Sequence, residues 1–404
     1  MGILPDSVRT LSRAELAHLN GRRPLLRRAI SWTIGIVFFG LCLAVVLASL
    51  HAQSGLTATV LGIATGFVVL GIVVPVFLWL DRFEPEPWGM LLFAFLWGAC
   101  VATVGAALLN DIGGYLIGAT AENNAPVAVF VAPPVEEALK GLALILLIVF
   151  RRKEIDGIVD GMVYAGLCAA GFAFVEDIVY LANGYADSGE EGLFGTFIVR
   201  VLMSPFAHPM FTICIGIGVG IAATSRGFAM RVLPPLMGFV CAVMLHMGWN
   251  ALAILAEEGW LLTYVLVQVP LFCAFVALLV IARRRESARI GEQLSGYVDS
   301  SWLSPPEVRM LASMSERRYA RAWAKSHGGK TLELQMEQFQ DIASELAMLR
   351  ARINHGDHGP DSFAREHKLL EALWMLRRPF LGTPLYRHYE WTPIGRPPMR
   401  TPLR

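Results

Sequence analysis

Charged side chains are scarce in this sequence. Asp, Glu, Lys and Arg make up 17% of its 404 residues, whereas 55% are hydrophobic and the mean hydropathy is +0.53. An ordinary soluble domain carries more charge, since about a quarter of its residues belong to these four types. The composition therefore excludes a typical soluble protein and predicts a polytopic membrane protein.

An excess of either charge sign and an ordered set of cysteines are also missing. The formal net charge is +1, so nothing favours a nucleic acid as partner, and none is expected. The six cysteines lie in apolar segments without a CxxC pair or a regular spacing, which predicts small packing residues, not a zinc finger or a redox motif. The glycines of GIGVG lack the strand-turn-helix context of a dinucleotide site and predict close helix packing.

Long apolar stretches make up most of the chain. Windows of about 20 apolar residues, the length that crosses a bilayer, lie at 30–50, 57–80, 88–112, 127–150, 158–183, 205–225, 232–256 and 260–282. We predict an all-α polytopic membrane protein with about eight transmembrane helices. Its parts are a cytoplasmic N-terminal segment 1–29, a transmembrane domain 30–282 and a C-terminal cytosolic helical tail 283–404.

Basic residues in the short loops predict the orientation. They are Arg22, Arg23, Arg27 and Arg28 before the first span, Arg82 after the second, Arg151, Arg152 and Lys153 after the fourth, Arg226 and Arg231 before the seventh, and Arg283, Arg284 and Arg285 after the last. The alternate loops contain no Lys or Arg. By the positive-inside rule, both termini are cytoplasmic and the protein is a multi-pass protein of the plasma membrane.

The tail has the composition of a soluble helical domain. Ser304, followed by Pro305 and Glu307, predicts a helix start with a capping box. Further helices are expected near 331–353 and 361–378, and the proline-rich end from Pro379 is expected to be extended. We interpret the tail as a small cytosolic domain or a set of partner-binding helices.

Ionisable side chains inside the apolar windows are the feature that requires an explanation. They are Glu136, Glu137 and Lys140 in the fourth span, Glu176 in the fifth, His208 in the sixth, and His246 with Asn250 in the seventh. At the bilayer centre each ionisable group costs at least about 2.5 to 3.5 kcal/mol on insertion scales. Residues of these types form hydrolytic sites, metal sites and proton relays, so they predict a function within the membrane.

The helical rise puts these groups at one level. At about 1.5 Å per residue, Glu136 and His246 lie roughly 21 Å from the cytoplasmic ends of their spans, and Glu176 and His208 about 27 and 25 Å. In a hydrocarbon layer of about 30 Å, all of them occupy the outer half. Helices of alternating direction thus bring costly groups to a common depth, which favours one shared site.

Structural roles are the alternative for each residue. Glu136 and Lys140 have the i,i+4 spacing of an ion pair, and a single histidine on an apolar helix often serves packing. One lysine does not neutralise two buried carboxylates, so Glu137 needs another role. The shared depth favours a functional role for His208 and His246.

Local sequence adds three expectations. Pro133 and Pro134 predict a helix that restarts within the membrane, with both glutamates in its first turn near the positive end of the helix dipole. Arg200, on the segment leading to Pro205, is expected to snorkel towards the interface or to hold a substrate or lipid headgroup. Asp160, on the cytoplasmic side, is expected to pair with Arg151 or Arg152.

Four motifs resemble those of PrsW-type intramembrane proteases, a branch of a wider group that includes CAAX prenyl endopeptidases and bacteriocin-processing enzymes. The motifs EEALK, DGMVYAGLCAAGFAFVED, AHPMFT and HMGWN follow one another on separate spans, and the resemblance covers about 79–254. It implies proteolysis within or beside the membrane. The family role known best is the first cut in an anti-sigma factor, so a substrate of that kind is one expectation.

The resemblance also implies roles for individual residues. The paired glutamates correspond to Glu136 and Glu137, the FxxxE position to Phe172 and Glu176, the two histidines to His208 and His246, and the last residue of the HxxxN pattern to Asn250. Asp177 departs from the pattern, since the PrsW family has Asn there. The CAAX-type enzymes carry His at the position of Glu176, so their substrate preference is not transferred.

Peptide hydrolysis requires an activated water, an oxyanion stabiliser and a proton donor for the leaving amine. Our preferred arrangement has Zn²⁺ held by Glu176, His208 and His246 with one open position. Glu136 or Glu137 then acts as general base, Asn250 donates to the oxyanion, and Lys140 and Phe172 support the site. In a metal-free alternative a glutamate activates the water, while the histidines and Asn250 polarise the carbonyl.

The predicted function is therefore an intramembrane endopeptidase that cuts a single-span membrane protein near the extracytoplasmic face of the lipid bilayer. Two other classes remain as alternatives. A non-catalytic scaffold would bind and present membrane substrates, and a proton-coupled transporter would use the same residues as a relay. A transporter predicts internal repeats, and the two halves of the sequence show no convincing duplication.

Overall fold

A computed structural model of the chain describes residues 25–120, 123–151, 155–255, 259–356 and 360–380. These residues are helical apart from short connections and one isolated bridge between Thr120 and Asn123. The predicted all-α class is confirmed. Several residues named above lie outside this part of the chain: Arg22, Arg23, Arg152, Lys153, the side chains of Arg27 and Arg28, and the proline-rich end beyond Phe380.

The chain divides into two compact units, with one boundary between Ala282 and Arg283. Nine α-helices occur in order along the described chain up to the end of the apolar part. They are α1 (Leu25–Leu80), α2 (Trp88–Leu96), α3 (Thr103–Leu116), α4 (Ala132–Arg151), α5 (Ile158–Phe197), α6 (Ala207–Thr224), α7 (Phe228–Leu255), α8 (Trp260–Thr263) and α9 (Val269–Ser295). Two of them are kinked, α1 at Gly55 with φ 79° and α5 at Ser188 and Gly189.

Apolar helices of sufficient length establish a multi-pass membrane protein. Among the described residues, five stretches are long and apolar enough to cross a membrane: Gly35–Leu80, Trp88–Leu116, Ile158–Thr224, Phe228–Leu255 and Leu261–Ser295. The first and third are 46 and 67 residues long, whereas one crossing needs about 20. Each of the eight predicted windows contains helix, and the number of crossings stays a prediction.

Four short π-helical stretches interrupt the membrane helices. They are Trp97–Ala102, Val127–Val131, Ile198–Met203 and Tyr264–Gln268. A π-turn inserts an extra residue into the helix and is found frequently at functional sites. None of the apolar windows predicted such a turn, because a π-turn changes the hydrogen-bond register without changing hydropathy.

Glycines allow the closest helix contacts of the membrane unit. A Cβ atom on Gly161 of α5 would lie 2.0 Å from the carbonyl oxygen of Gly216 on α6, and one on Gly216 would lie 2.2 Å from that of Gly161. Gly171 of α5 is equally close to Phe95 of α2. The predicted small-residue packing faces are confirmed. They fix α5 between α2 and α6, and α5 and α6 carry two of the predicted site residues.

The second unit comprises Phe83–Pro85 and the chain from Arg283 onward among the described residues. Its helices are α10 (Pro305–Leu311), α11 (Met314–Asn354), kinked at Gly328 and Gly329, and α12 (Pro360–Arg377), which ends in a 3-10 turn. The capping box at Ser304 and Glu307 is confirmed, with reciprocal side chain to backbone bonds. Leu311, Leu346 and Leu373, all fully buried, belong to a hydrophobic core of this unit.

Candidate active site

The glutamate pair sits on α4 just beyond a π–α junction. The π-helical stretch Val127–Val131 continues without a gap into α4, and Pro133 and Pro134 lie in the first α-helical turn after this junction. No acidic residue lies in that first turn. The predicted placement of Glu136 and Glu137 there is therefore wrong, because the helix does not restart at the prolines.

Lys140 is fully buried among the acidic and imidazole groups. Its Nζ lies 2.9 Å from Glu137 Oε1, 3.5 Å from Glu136 Oε2 and 3.0 Å from His208 Nδ1. The ammonium also lies over the ring of Phe172, 3.9 Å from the ring centroid. Since an ammonium only donates, His208 Nδ1 is the acceptor in this contact. A single lysine thus serves both glutamates, contrary to the expectation that Glu137 would be left over.

Glu137 is fully engaged. Its Oε1 contacts Lys140 and also lies 3.2 Å from His246 Nδ1, and its Oε2 accepts a 2.8 Å bond from Thr212 Oγ1. The side chain has no exposed surface. A carboxylate bonded to one ring nitrogen of a histidine fixes the ring and directs its other nitrogen to a ligand. Here that other nitrogen, His246 Nε2, lies 3.9 Å from Glu136 Oε2.

Glu136 is the member of the pair with an unused oxygen. Its Oε2 is buried and has no hydrogen-bond partner among the described residues, although Lys140 and His246 lie at ion-pair distance. Ligand atoms of Glu136, His208 and His246 all lie within 4.8 Å of one another. Two imidazoles and a carboxylate form the donor set of a catalytic zinc site, and a cation would satisfy the orphaned oxygen. These residues therefore fit a divalent metal.

Glu176, the predicted metal ligand, contacts His208 and Arg200. Its Oε2 lies 2.7 Å from His208 Nε2 and accepts a hydrogen bond from Arg200 Nη2. It is absent from the three-residue group with metal-ligand spacing, in which Glu136 takes part instead. Glu176 is also the most exposed acid of the site, with 21% of its side-chain surface accessible.

Arg200 is a structural partner of the acids of α5. Besides Glu176 it binds Asp177, with its Nε 2.7 Å from Asp177 Oδ1, and its guanidinium lies 4.3 Å from the ring centroid of Tyr180. Two carboxylates therefore face this guanidinium, and its expected snorkelling or contact with a substrate or headgroup stays a prediction. Asp177, the departure from the family pattern, supplies the second of these carboxylates.

Asn250 and two aromatic rings complete the surroundings. Asn250 Nδ2 donates a 2.8 Å bond to the carbonyl oxygen of Ala128, which ties α7 to the π-helical stretch before α4. The second amide proton of Asn250 remains available. Phe172 packs against the ring of His208, and Phe211 stacks on His246 with centroids 4.9 Å apart. The rings shield the imidazoles from other polar partners.

Thr212 and Phe211 were missed by sequence reasoning. Thr212 follows His208 by four residues and so shares its helix face, which is a signal within the AHPMFT motif. Phe211 looks like any apolar residue of a membrane helix. Its contact with His246 depends on how α6 packs against α7, which the sequence does not reveal.

A second acidic cluster lies around the loop between α1 and α2. Tyr164 Oη donates a 2.6 Å bond to Glu86 Oε2, and the backbone N–H of Glu86 donates to both oxygens of Asp81. Burial raises the pKa of Asp81 to about 7. Asp160 accepts a 2.8 Å hydrogen bond from the backbone N–H of Asp156, so its carboxylate stabilises the turn that precedes α5. Arg152, one of its expected partners, lies outside the described residues.

Comparisons with known proteins bear on the part of the chain that carries the site. A family model described as PrsW family intramembrane metalloprotease matches residues 86–275. "Protease PrsW" of Geobacillus kaustophilus is 28% identical over 204 residues, which is 49% of this chain and 80% of that protein. "Protease PrsW" of Clostridioides difficile is 28% identical over 189 residues, 47% of this chain and 77% of that protein.

A third relative covers less. "Protease PrsW" of Oceanobacillus iheyensis is 29% identical over 105 residues, 26% of this chain and 44% of that protein. No solved structure matches the chain significantly. The matched region includes Glu136, Glu137, Glu176, His208 and His246, and the C-terminal unit from Arg283 lies outside it. On its motifs, its helical architecture and these relatives, the chain is similar to the PrsW-type intramembrane proteases over residues 86–275.

Proposed function

We propose that this enzyme hydrolyses a peptide bond of a single-span membrane protein, of the kind to which anti-sigma factors belong, near the extracytoplasmic face of the plasma membrane. Two arguments support this assignment. The helical rise gives the site residues a depth in the outer half of the bilayer, and the basic loops favour cytoplasmic termini. A substrate crossing the membrane once can present its outer end to such a site.

The observation that carries the mechanism is the unpartnered, buried oxygen of Glu136 beside His246 and His208. We propose that Glu136, His208 and His246 would hold Zn²⁺, with His208 exchanging its Nε2 contact with Glu176 for the metal, because its Nδ1 accepts from Lys140. When bound, this metal supplies a Lewis acid that polarises the scissile carbonyl and lowers the pKa of a water molecule. Glu136 thereby takes the ligand role first assigned to Glu176.

The other groups of the site orient the histidines or transfer protons. Glu137 fixes His246 through its Nδ1, and Lys140 forms ion pairs with both glutamates and orients His208. Glu176, which is partly exposed and held by Arg200, has an oxygen within reach of solvent and serves as the general base. Asn250 keeps one amide proton for the oxyanion.

A metal-free mechanism uses the same unpartnered oxygen differently. Glu136 itself takes a proton from water, and Lys140 stabilises the buried negative charge that both glutamates carry. His208 and His246 then polarise the substrate carbonyl. Both mechanisms require Glu136, and they differ in whether the active protein contains a metal.

The test uses purified enzyme in detergent and whole cells that carry the same variants. Glu136→Gln keeps the side-chain volume and removes the charge, so it takes away a metal ligand in the first mechanism and the general base in the second. We expect cleavage to fall by about 10² to 10⁴-fold, the size of an acid-base contribution. Glu191→Gln is the matched control, because Glu191 is exposed and distant in sequence from the site. In cells, the uncut form of a membrane protein is expected to accumulate with Glu136→Gln and not with Glu191→Gln.

Metal analysis separates the two mechanisms. Bound zinc close to one ion per chain, loss of activity with a chelator, recovery with Zn²⁺ and loss of zinc in His246→Ala favour the metal site. Full activity without bound metal favours the glutamate mechanism. If Glu136→Gln cells have the wild-type phenotype and the same set of membrane proteins as the wild type, both hydrolytic mechanisms are contradicted and the non-catalytic scaffold is favoured. If the variant loses a proton-coupled flux without any change in membrane proteins, the transporter is favoured.

A further inference from the structure

An apolar pocket of about 230 Å³ opens beside the catalytic residues. Its walls come from α1, the turn that precedes α6, the beginning of α6, α7, the π-helical stretch Tyr264–Gln268 and α9. The lining is mainly Met, Phe, Trp and other apolar side chains, with Ser204, Tyr264 and Gln268 as its polar members. All of these residues belong to the membrane unit.

The pocket and the candidate active site share walls. Ala207 lines the pocket and directly precedes His208, and Met210 follows it within the same turn of α6. Trp249 lines the pocket from α7, three residues after His246 and therefore on the same side of that helix. The ring of Phe211 contacts both His246 and Trp249, at centroid distances of 4.9 and 5.7 Å. One aromatic ring thus separates the pocket from a catalytic imidazole.

The polar groups at the pocket suit a peptide more than a lipid chain. Two π-helical stretches end here, at Met203 and Gln268, and Tyr264 donates a 2.8 Å bond to the carbonyl oxygen of Met203. The amide of Gln268 lines the pocket without a side-chain hydrogen bond to any of the described residues. A peptide unwound for cleavage needs such donors and acceptors inside the bilayer, because its backbone finds no water there. An acyl chain has no use for them.

The size of the pocket agrees with a single side chain. Sites for small molecules commonly measure about 300 to 1,000 Å³, and an acyl chain that fills one leaflet extends over roughly half of the 30 Å hydrocarbon layer. A cavity of about 230 Å³ is smaller than these sites. It accommodates a large aliphatic or aromatic side chain next to a backbone held by Gln268.

We infer that this pocket is the specificity pocket of the protease and takes a large apolar side chain of the substrate adjacent to the scissile bond. The inference rests on the proposed endopeptidase function. It narrows the substrate class to membrane segments that have Leu, Phe or a residue of similar size at one fixed position next to the scissile bond. The unpaired Gln268 amide binds the substrate backbone at that position.

Phe272 offers the means to test this. It lines the pocket from α9 and is 40% exposed, so its replacement changes the volume without removing a fully buried side chain. The probes are synthetic peptides of about 25 residues with an apolar segment, assayed in detergent micelles. Mass spectrometry locates the cut, and the residue on either side of it is then replaced in turn by Ala, Leu, Phe or Trp.

The wild-type enzyme is expected to cut the Leu and Phe peptides with a kcat/KM at least about tenfold above that of the Ala peptide at one of the two positions, as expected for extra methylenes in an apolar pocket. Phe272→Ala enlarges the pocket and shifts the optimum to Trp, whereas Phe272→Trp shifts it to smaller residues. Phe228→Ala is the matched control, since Phe228 is 83% exposed and lies outside the pocket; it leaves the order of substrates unchanged.

Equal preference ratios in the wild type and both Phe272 variants would overturn the inference, even with full activity. So would variants whose activity responds only to the acyl-chain length of added lipid, which identifies the occupant as lipid. If no peptide is cut, the proposed function fails. Peptide binding to the pocket is then measured separately by photocrosslinking, with p-benzoylphenylalanine in place of Phe272. Crosslinking to the Phe peptide above the Ala peptide supports the pocket, and equal or absent crosslinking refutes it.

Discussion

At the scale of single residues, the site depends on one buried cation. Lys140 contacts both glutamates and His208 and lies against Phe172, with no exposed side-chain surface. An ammonium of this kind offsets the cost of two carboxylates that are otherwise surrounded by apolar helices. It also keeps His208 Nδ1 as an acceptor, which decides the protonation pattern of that ring.

Lys140→Met is expected to remove this compensation. Breaking a buried charge pair by deleting one partner costs about 3 to 5 kcal/mol, so the free energy of unfolding falls by that amount and cleavage is lost. The measurement is thermal or denaturant unfolding in detergent, together with peptide hydrolysis.

The double variant Glu137→Gln/Lys140→Met serves as the control for this prediction. It removes a negative and a positive charge together, so stability is expected to return towards the wild-type value, while activity remains absent. Full activity in Lys140→Met would show that the ammonium is not needed by the site. Equal destabilisation in the single and double variants would show that the pairing of Lys140 with Glu137 contributes nothing.

Much of the residue-level site was predictable, and its hydrogen bonding was not. Counting residues from the cytoplasmic ends brought Glu136, Glu176, His208 and His246 to a similar depth, and side-chain contacts join them in the folded protein. Which carboxylate keeps a free oxygen depends on Thr212 and on the reach of Lys140. Those are matters of side-chain geometry between helices, and hydropathy carries no information about them.

At the scale of helices, the site depends on how closely α5 and α6 approach. Glu176 of α5 and His208 of α6 are joined by a 2.7 Å contact, and Gly161 and Gly216 form the tightest crossing between the same two helices. A change at that crossing acts on the site from a distance, because a rigid helix transmits its displacement along its length.

Gly161→Ala is expected to separate α5 from α6. The new Cβ would lie 2.0 Å from a backbone oxygen, which cannot move aside without shifting its helix, so overpacking of roughly 1 to 3 kcal/mol follows. Cleavage is expected to fall more steeply than stability, because the contact between Glu176 and His208 is stretched. Activity and unfolding, measured on the same preparations, check this.

Gly71→Ala is the matched control for the helix crossing. Gly71 lies within α1, and a Cβ atom there meets nothing within 4 Å. The added methyl group is expected to leave activity and stability unchanged, or to raise stability slightly through the better helix propensity of alanine. An equal loss of activity in both glycine variants would contradict the packing explanation.

The sequence predicted the helices better than their irregularities. Apolar windows located helical segments and the glycine faces, since both follow from composition and spacing. The π-turn before Ala132 was not predicted, and the prolines at 133 and 134 were interpreted as a break in the helix. Proline is compatible with the first turn of a helix as well as with its interruption, and only the path of the preceding chain decides between them.

At the scale of the whole molecule, the chain carries two compact units. The membrane unit holds the family match and the candidate active site. The unit that begins at Arg283 has a hydrophobic core of its own. The capping box at Ser304 located the start of α10, and the predicted stretches near 331–353 and 361–378 fall on α11 and α12, although α11 begins earlier, at Met314. Capping residues mark helix ends in sequence, whereas the apolar spans merge into one another.

A buried ion pair connects the two ends of the C-terminal unit. Arg377, near the end of α12, places its Nε 2.6 Å from Glu307 Oε1 on α10, and Glu307 also closes the capping box at Ser304. Both side chains are almost without exposed surface. Arg377 also donates to the carbonyl oxygen of Trp302. The pair therefore links the first and last helices of this unit.

Arg377→Met is expected to destabilise this unit by about 3 to 5 kcal/mol, because Glu307 is left buried without its cation. Since the unit has a separate core, we expect faster hydrogen exchange in 305–380 and unchanged exchange in the core of α5. Arg318→Met, at a position on the exposed side of α11, is the matched control and leaves both regions unchanged. Faster exchange in α5 as well would mean that the two units unfold together, so that the site owes its stability to the C-terminal unit.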